Sequence, residues 1–167
     1  YEEEPKVLWI CGTNYLGKYE NPEADYMFTR HLLPCGWASW SKKFLQFYDG
    51  ELKNCSDTRN IRIAGKRYYN KMLFVQYRHQ WLCEYSRIIK GIRPRSWDYQ
   101  MDFTLKYNDL YGVSPVNNQI KNIGVDEISE HGGVSYSNVM TERFCSMPSY
   151  PLSFPLRHPK EVSICED

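Results

Sequence analysis

The chain has 167 residues, 42% of them hydrophobic and 25% charged, which is enough apolar material for one compact domain with a real core. Its 21 basic and 20 acidic residues leave a net charge of +1, which argues against bulk electrostatic binding of nucleic acid. No apolar run approaches the roughly 20 residues that a membrane span needs.

Aromatic residues reach 16%. Their faces suit a core, and they equally suit stacking against sugar rings. The six cysteines form no C-x-x-C pair, which argues against a zinc ribbon. Scattered thiols read as reduced and intracellular, although an even count also suits a disulfide-bonded secreted chain. The Glu2-Glu3-Glu4-Pro5 opening reads as a connector entered mid-chain, so a single domain over residues 1–167, cut from a larger one, is expected.

In chain order, residues 6–11 read as a buried strand and residues 12–21 as a loop. Residues 26–29 form a second short strand, and 34–36 a turn. Trp40, Phe44, Phe47 and Tyr48 recur at helical spacing, which suits packing of Trp40 on a core, and Gly50 stops that helix. Residues 54–60 read as a loop. One long helix is expected over 66–90, with Tyr69, Met72, Leu73, Tyr77, Trp81, Tyr85 and Ile88 on its apolar face. Gly91 fits its C-terminal cap, and Pro94 forbids continuation.

Ser96 is the expected N-cap of a further helix, with Trp97, Met101, Leu105 and Asn108 along one stripe. Asp102 and Lys106 read as an exposed i, i+4 pair, and the short basic pairs Lys42-Lys43 and Lys66-Arg67 as solvated faces. His79 and Cys83 share a helix face, a weak metal signal without a second pair. Residues 112–116 are extended, and the proline-rich end carries little regular structure. The fold class is α/β with few strands, packed helices and an extended tail. It lacks the strand–helix alternation of a full nucleotide-binding sheet, and no G-x-G-x-x-G, P-loop or D-x-D motif is present.

The chemistry concentrates at Arg93-Pro94-Arg95-Ser96-Trp97-Asp98-Tyr99-Gln100. Asp98 falls in the first turn of a helix, where N–H groups and the helix dipole stabilise its anion. Such a carboxylate can take a proton from a hydroxyl, or can simply favour the helix start. Trp97 and Tyr99 could supply the desolvation that a base requires.

Four motifs in order carry a family resemblance. Gly36-Trp37-Ala38-Ser39-Trp40, Trp97-Asp98-Tyr99-Gln100, the segment from Pro115 to Gly124 and Tyr150-Pro151-Leu152-Ser153-Phe154-Pro155-Leu156-Arg157-His158-Pro159 resemble bacterial family-2-like, hemolysin-activation-type nucleotide-sugar glycosyltransferases. The likeness covers nearly the whole chain. A more distant likeness is to the N-acetylglucosaminyltransferase I type.

The resemblance implies the C-terminal, acceptor-side half of a glycosyltransferase A-type fold, with the nucleotide-binding half elsewhere. It implies inverting transfer from a nucleotide-sugar donor to a glycan or lipid-linked acceptor, with Asp98 as general base. Trp37, Trp97, Arg95, Asn122 and Gly124 become candidate substrate contacts, and His131 a candidate ligand of a divalent Mn or Mg ion held mainly by the other half. Bacterial polysaccharide synthesis at the cytoplasmic side of the inner membrane is implied in the same way. A sheet cut from its other half would associate with that half or with itself. The alternative reading is a non-catalytic carbohydrate-binding or structural module.

Overall fold

A computed structural model describes residues 1–20, 23–125, 141–142 and 145–164. Its architecture is mixed α/β. Strands β1 (Val7–Cys11), β2 (Tyr26–Thr29), β3 (Trp37–Ala38) and β4 (Tyr111–Pro115) form one mixed sheet in the order β2-β4-β1-β3. Helices are α1 (Ser41–Phe47), α2 (Thr58–Gly65), α3 (Lys71–Ile89) and α4 (Asp98–Tyr107), with a 3-10 turn over Lys53–Ser56. The chain divides into two compact units. The first comprises Tyr1–Trp9, Thr29–Leu32 and Ser39–Gly112, and the second the remaining segments, so the boundary falls inside β1, β2 and β4.

In the first unit the core gathers Leu52, Cys55, Ile61, Ala64, Tyr68, Trp81 and Phe103. Trp81 is fully buried and meets Phe103 edge-on with ring centroids 5.1 Å apart. The long helix expected over 66–90 is α3, Lys71–Ile89, which begins later than expected. A separate helix, α2, occupies part of the expected 54–60 loop, capped by Asp57, whose side chain accepts from Arg59 N–H. The chain then breaks before α3, because Asn70 Oδ1 accepts from the N–H groups of Met72 and Leu73 and so opens a new N-terminus. Gly65 makes the break compact: a Cβ there would lie 2.5 Å from the Phe74 ring. Leu73, Tyr77, Trp81, Tyr85 and Ile88 face the core as expected, whereas Tyr69 and Met72 are exposed.

The C-terminus of α3 follows the expected cap. Gly91 has a left-handed φ of +70°, with Gly91 N–H on Ile88 O and Ile92 N–H on Arg87 O, so two terminal carbonyls are satisfied. The exposed pair expected at Asp102 and Lys106 is instead deeply buried, at 3% and 1% exposure. Helix α4 is enclosed from Gln100 through Lys106 rather than along one stripe. A charged side chain can occupy such a position only when neutralised in place. Lys106 Nζ lies 3.2 Å from Asp102 Oδ1 and also donates to Arg30 O, and the Tyr68 hydroxyl donates to Asp102 Oδ2 at 2.6 Å.

One member of each basic pair is also engaged. Lys43 Nζ donates to the carbonyls of Tyr1, Glu4 and Val7, and Arg67 lies 3.2 Å from Asp109. The helix carrying Phe44 has no buried residue; Phe44 stacks on Tyr48 at 4.7 Å, so α1 is a surface helix, not the core support expected from Trp40. Asp109 adopts a left-handed φ of +54° and meets Lys6, Arg30 and Arg67. Burial alone would raise its carboxyl, but the hydrogen bond from Lys6 and the charges of Arg67 and Arg30 hold it below the usual carboxylate range.

In the second unit β3 pairs antiparallel with the end of β1, Ile10 opposite Ala38 and Cys11 opposite Trp37. The proline-rich tail is extended, as expected, and it is anchored. Arg157 pairs with Asp25 at 2.6 Å, His158 Nδ1 shares a hydrogen bond with Tyr26 Oη, and Ile164 bridges to Phe28 along β2. The tail therefore meets β2, one outer strand of the sheet, and the other outer strand, β3, is only two residues long. Short or covered edges limit pairing with another sheet.

Two measurements test this account. Replacing Asp102 with Ala strands the Lys106 ammonium, and urea unfolding is expected to show a loss of about 3–5 kcal/mol, against a smaller loss for Tyr68→Phe. Asp109→Asn is expected to be destabilising at neutral pH. Because the folded-state carboxyl is depressed, that deficit closes as pH falls from about 4 downward, where Asp109 of the parent protein also takes up a proton.

Candidate active site

Asp98 is the first residue of α4 and belongs to the first unit. The helix start differs from expectation in one respect. Trp97, not Ser96, is the N-cap residue, in αR conformation and with no side-chain cap bond. Asp98 itself takes up part of the capping task, since its Oδ1 accepts from Tyr99 N–H at 3.1 Å. The position of this turn is fixed from both sides. Downstream, α4 is locked by its burial. Upstream, Glu84 of α3, fully buried, accepts from Arg95 N–H at 2.9 Å and from Arg95 Nε at 2.5 Å. Arg95, a candidate substrate contact, is thus committed to holding the chain before Asp98. The Trp97 ring lies against Trp9 at 5.7 Å with one side exposed, so it can be both a support and a contact surface.

Asp98 is half-buried, and among the described residues no cation forms an ion pair with it. Its neighbours are phenols. Tyr77 is pushed up to about 12 by burial and then by the charges of Asp102 and Asp98. Tyr48 and Tyr99 are raised by burial and then by nearby carboxylates, Asp98 among them. All three hydroxyls are therefore protonated at neutral pH and can donate to, or accept from, a polyhydroxyl ligand. Tyr48 follows the end of α1 and Tyr77 is on α3, and nothing in the local sequence around Asp98 indicates them; the high tyrosine content was the only signal.

The remaining candidates lie in the second unit. Trp37 is exposed on β3. Asn122 Oδ1 accepts from Gly124 N–H at 2.9 Å, and its Nδ2 lies 3.5 Å from Cys145 Sγ. Asn122 also borders a small, shallow cleft, together with Thr13, Tyr15, Cys35, Asn118 and Cys145. Cys11, beside this region, is pushed up to about 11 by burial, so its thiol is protonated and unreactive at neutral pH. His131 lies outside the described residues. His79 Nε2 and Cys83 Sγ approach to 3.5 Å, but among the described residues no group of three or more His, Cys, Asp or Glu side chains is placed to hold a metal ion.

The floor of this unit is built by Asn14, Asn118 and two glycines. Asn118, buried, accepts from Asn14 N–H and donates to the carbonyls of Ile120 and Pro148. It is a backbone-binding residue. Asn14 donates to Pro115 O and Val116 O in return, a role that the sequence did not signal. Gly36, with φ +58°, and Gly12 are covered by Ile120: a Cβ on either would approach the Ile120 side chain to 2.7 or 2.8 Å. This accounts physically for the glycine that opens the Gly36-Trp37 element.

No protein-family model matches the chain, and no curated protein or solved structure matches it.

Gly36→Ala is expected to cost about 1–3 kcal/mol, since both the backbone conformation and the Ile120 contact oppose a side chain. Ile120→Val in the same background, which removes the Cδ1 atom, should recover part of that loss in thermal unfolding.

Proposed function

We propose that this chain is the acceptor-side part of an inverting nucleotide-sugar glycosyltransferase, with Asp98 as the general base. The single observation that carries the reading is a half-buried carboxylate with no cation paired to it among the described residues, held at the start of an enclosed helix, whose charge acts on three protonated phenols. A carboxylate already neutralised by Lys or Arg would be a poor proton acceptor. The four motifs that resemble sugar transferases support the same assignment, as does the placement of Asp98 within one of them.

In the proposed step the acceptor hydroxyl gives its proton to Asp98. Its oxygen lone pair forms the new bond to the anomeric carbon of the donor sugar. The bond from that carbon to the diphosphate oxygen breaks in line, and the electron pair departs with the nucleoside diphosphate. Tyr48, Tyr77 and Tyr99 orient the acceptor through hydrogen bonds, and the exposed face of Trp97 packs on a sugar ring. Arg95 acts through Glu84, as a positioning residue. The divalent ion that the resemblance implies does not fit any cluster of described residues, and no step is assigned to it.

The test is transfer from UDP-, GDP- and dTDP-sugars by the full gene product, compared with Asp98→Asn. The expected result is a fall in kcat of about 10²–10⁴-fold with donor binding and unfolding midpoint retained. Full activity in Asp98→Asn would remove Asp98 from catalysis. Glycan binding by a well-folded protein without any transfer would instead establish a carbohydrate-binding module.

A further inference from the structure

We propose that the outer face of α3 is a docking surface for a membrane carrying anionic lipid headgroups. The inference stands apart from sugar transfer. Charge is distributed very unevenly along this nearly neutral chain. Residues 66–95 hold eight of the 21 basic residues (Lys66, Arg67, Lys71, Arg78, Arg87, Lys90, Arg93 and Arg95) but only one of the 20 acidic residues, Glu84. Glu84 is buried and consumed by Arg95, and Arg67 is held by Asp109. Lys66, Lys71, Arg78, Lys90 and Arg93 are exposed, and among the described residues none of them forms an ion pair.

Apolar side chains share that face. Met72 is 82% exposed, Val75 61% and Ile89 63%, with Leu82 between them and Tyr69 and Ile92 beyond the two ends. At 3.6 residues per turn Met72, Val75, Leu82 and Ile89 fall within an arc of about 100° on the side of α3 away from Trp81. The helix is about 28 Å long, so this is an extended apolar strip with cations at both ends and along its margin.

The composition selects the occupant. A second copy docked through the same face would bring the two sets of unpaired cations together with no exposed acid between them. A helical protein partner packing along the strip would have to bury His79 and Ser86, which interrupt it at the positions between Val75, Leu82 and Ile89. A lipid interface accepts such a pattern. Methyl-bearing side chains enter the acyl boundary, polar side chains stay among headgroups, and long Lys and Arg stems lift their charges to the phosphates.

The experiment is co-sedimentation of the protein with vesicles of phosphatidylcholine alone and of phosphatidylcholine mixed with phosphatidylglycerol. Binding is expected only to the mixed vesicles and should weaken as salt is raised. Arg78→Gln, Lys90→Gln and Arg93→Gln should each reduce affinity about fivefold, and Met72→Ser with Ile89→Ser should reduce it further, all with unchanged unfolding midpoints because these side chains are exposed. No binding to the mixed vesicles, equal binding to both compositions, or binding indifferent to these substitutions would overturn the proposal. A concentration-dependent dimer in sedimentation velocity that Met72→Ser with Ile89→Ser abolishes would also overturn it, and would assign the face to self-association.

Discussion

A lysine ammonium taken out of water must find its counter-charge within the fold, and the first unit is organised around that requirement. Lys106 is on α4, and its neutralising carboxylate, Asp102, is one turn earlier on the same helix. The remaining Asp102 oxygen is satisfied by Tyr68, which lies just beyond α2, and the remaining Lys106 donor capacity by the backbone carbonyl of Arg30, just beyond β2. The Lys106 ammonium also sits 4.7 Å from the Tyr68 ring centroid, so cation, carboxylate and aromatic ring form one closed set. A neutral core could slide or rotate a helix at small cost. This core cannot, because any displacement of α4 opens a charge.

That rigidity reaches the proposed catalytic residue through only one helical turn, from Asp102 back to Asp98. The Glu84–Arg95 pair performs the matching task on the other side of the turn, where a buried carboxylate grips both backbone and side chain of Arg95. Two buried acids thus fix the chain around a third acid that pairs with no cation among the described residues. The contrast between Asp102 and Glu84, each neutralised, and Asp98, with no ion pair among the described residues, is the strongest local reason to propose Asp98 as a functional carboxylate.

The sequence was informative where a single local cause decides structure. The apolar run before Gly12, the Gly91 cap with Pro94 behind it, and the inward face of α3 were all readable, because periodicity and backbone restriction act over a few residues. It was misleading where a distant partner decides. The break between α2 and α3 depends on Asn70 capping and on Phe74 filling the space over Gly65, and neither disturbs the apolar period. Asp102 and Lys106 have the spacing of an exposed pair, and only Tyr68 and Arg30, 34 and 76 positions away, make them an interior one. Of the phenols near Asp98, Tyr99 is its chain neighbour and was readable, whereas Tyr48 and Tyr77 come from earlier elements and were invisible for the same reason.

Asn118 has a consequence for the order in which the protein can form. This one side chain joins the segment at Asn14 to those at Ile120 and Pro148, and its carbonyl receives the N–H of Tyr150. The second unit is therefore assembled from three stretches, of which the last, beginning at Val113, is separated from the first two by the long run Ser39–Gly112. Contacts that close such long loops lose much chain entropy before any is returned, which slows folding. During synthesis the residues near Asn14 emerge early and then wait for the tail. Until Pro148 and Tyr150 have left the ribosome the Asn118 hub is incomplete, and the second unit matures last.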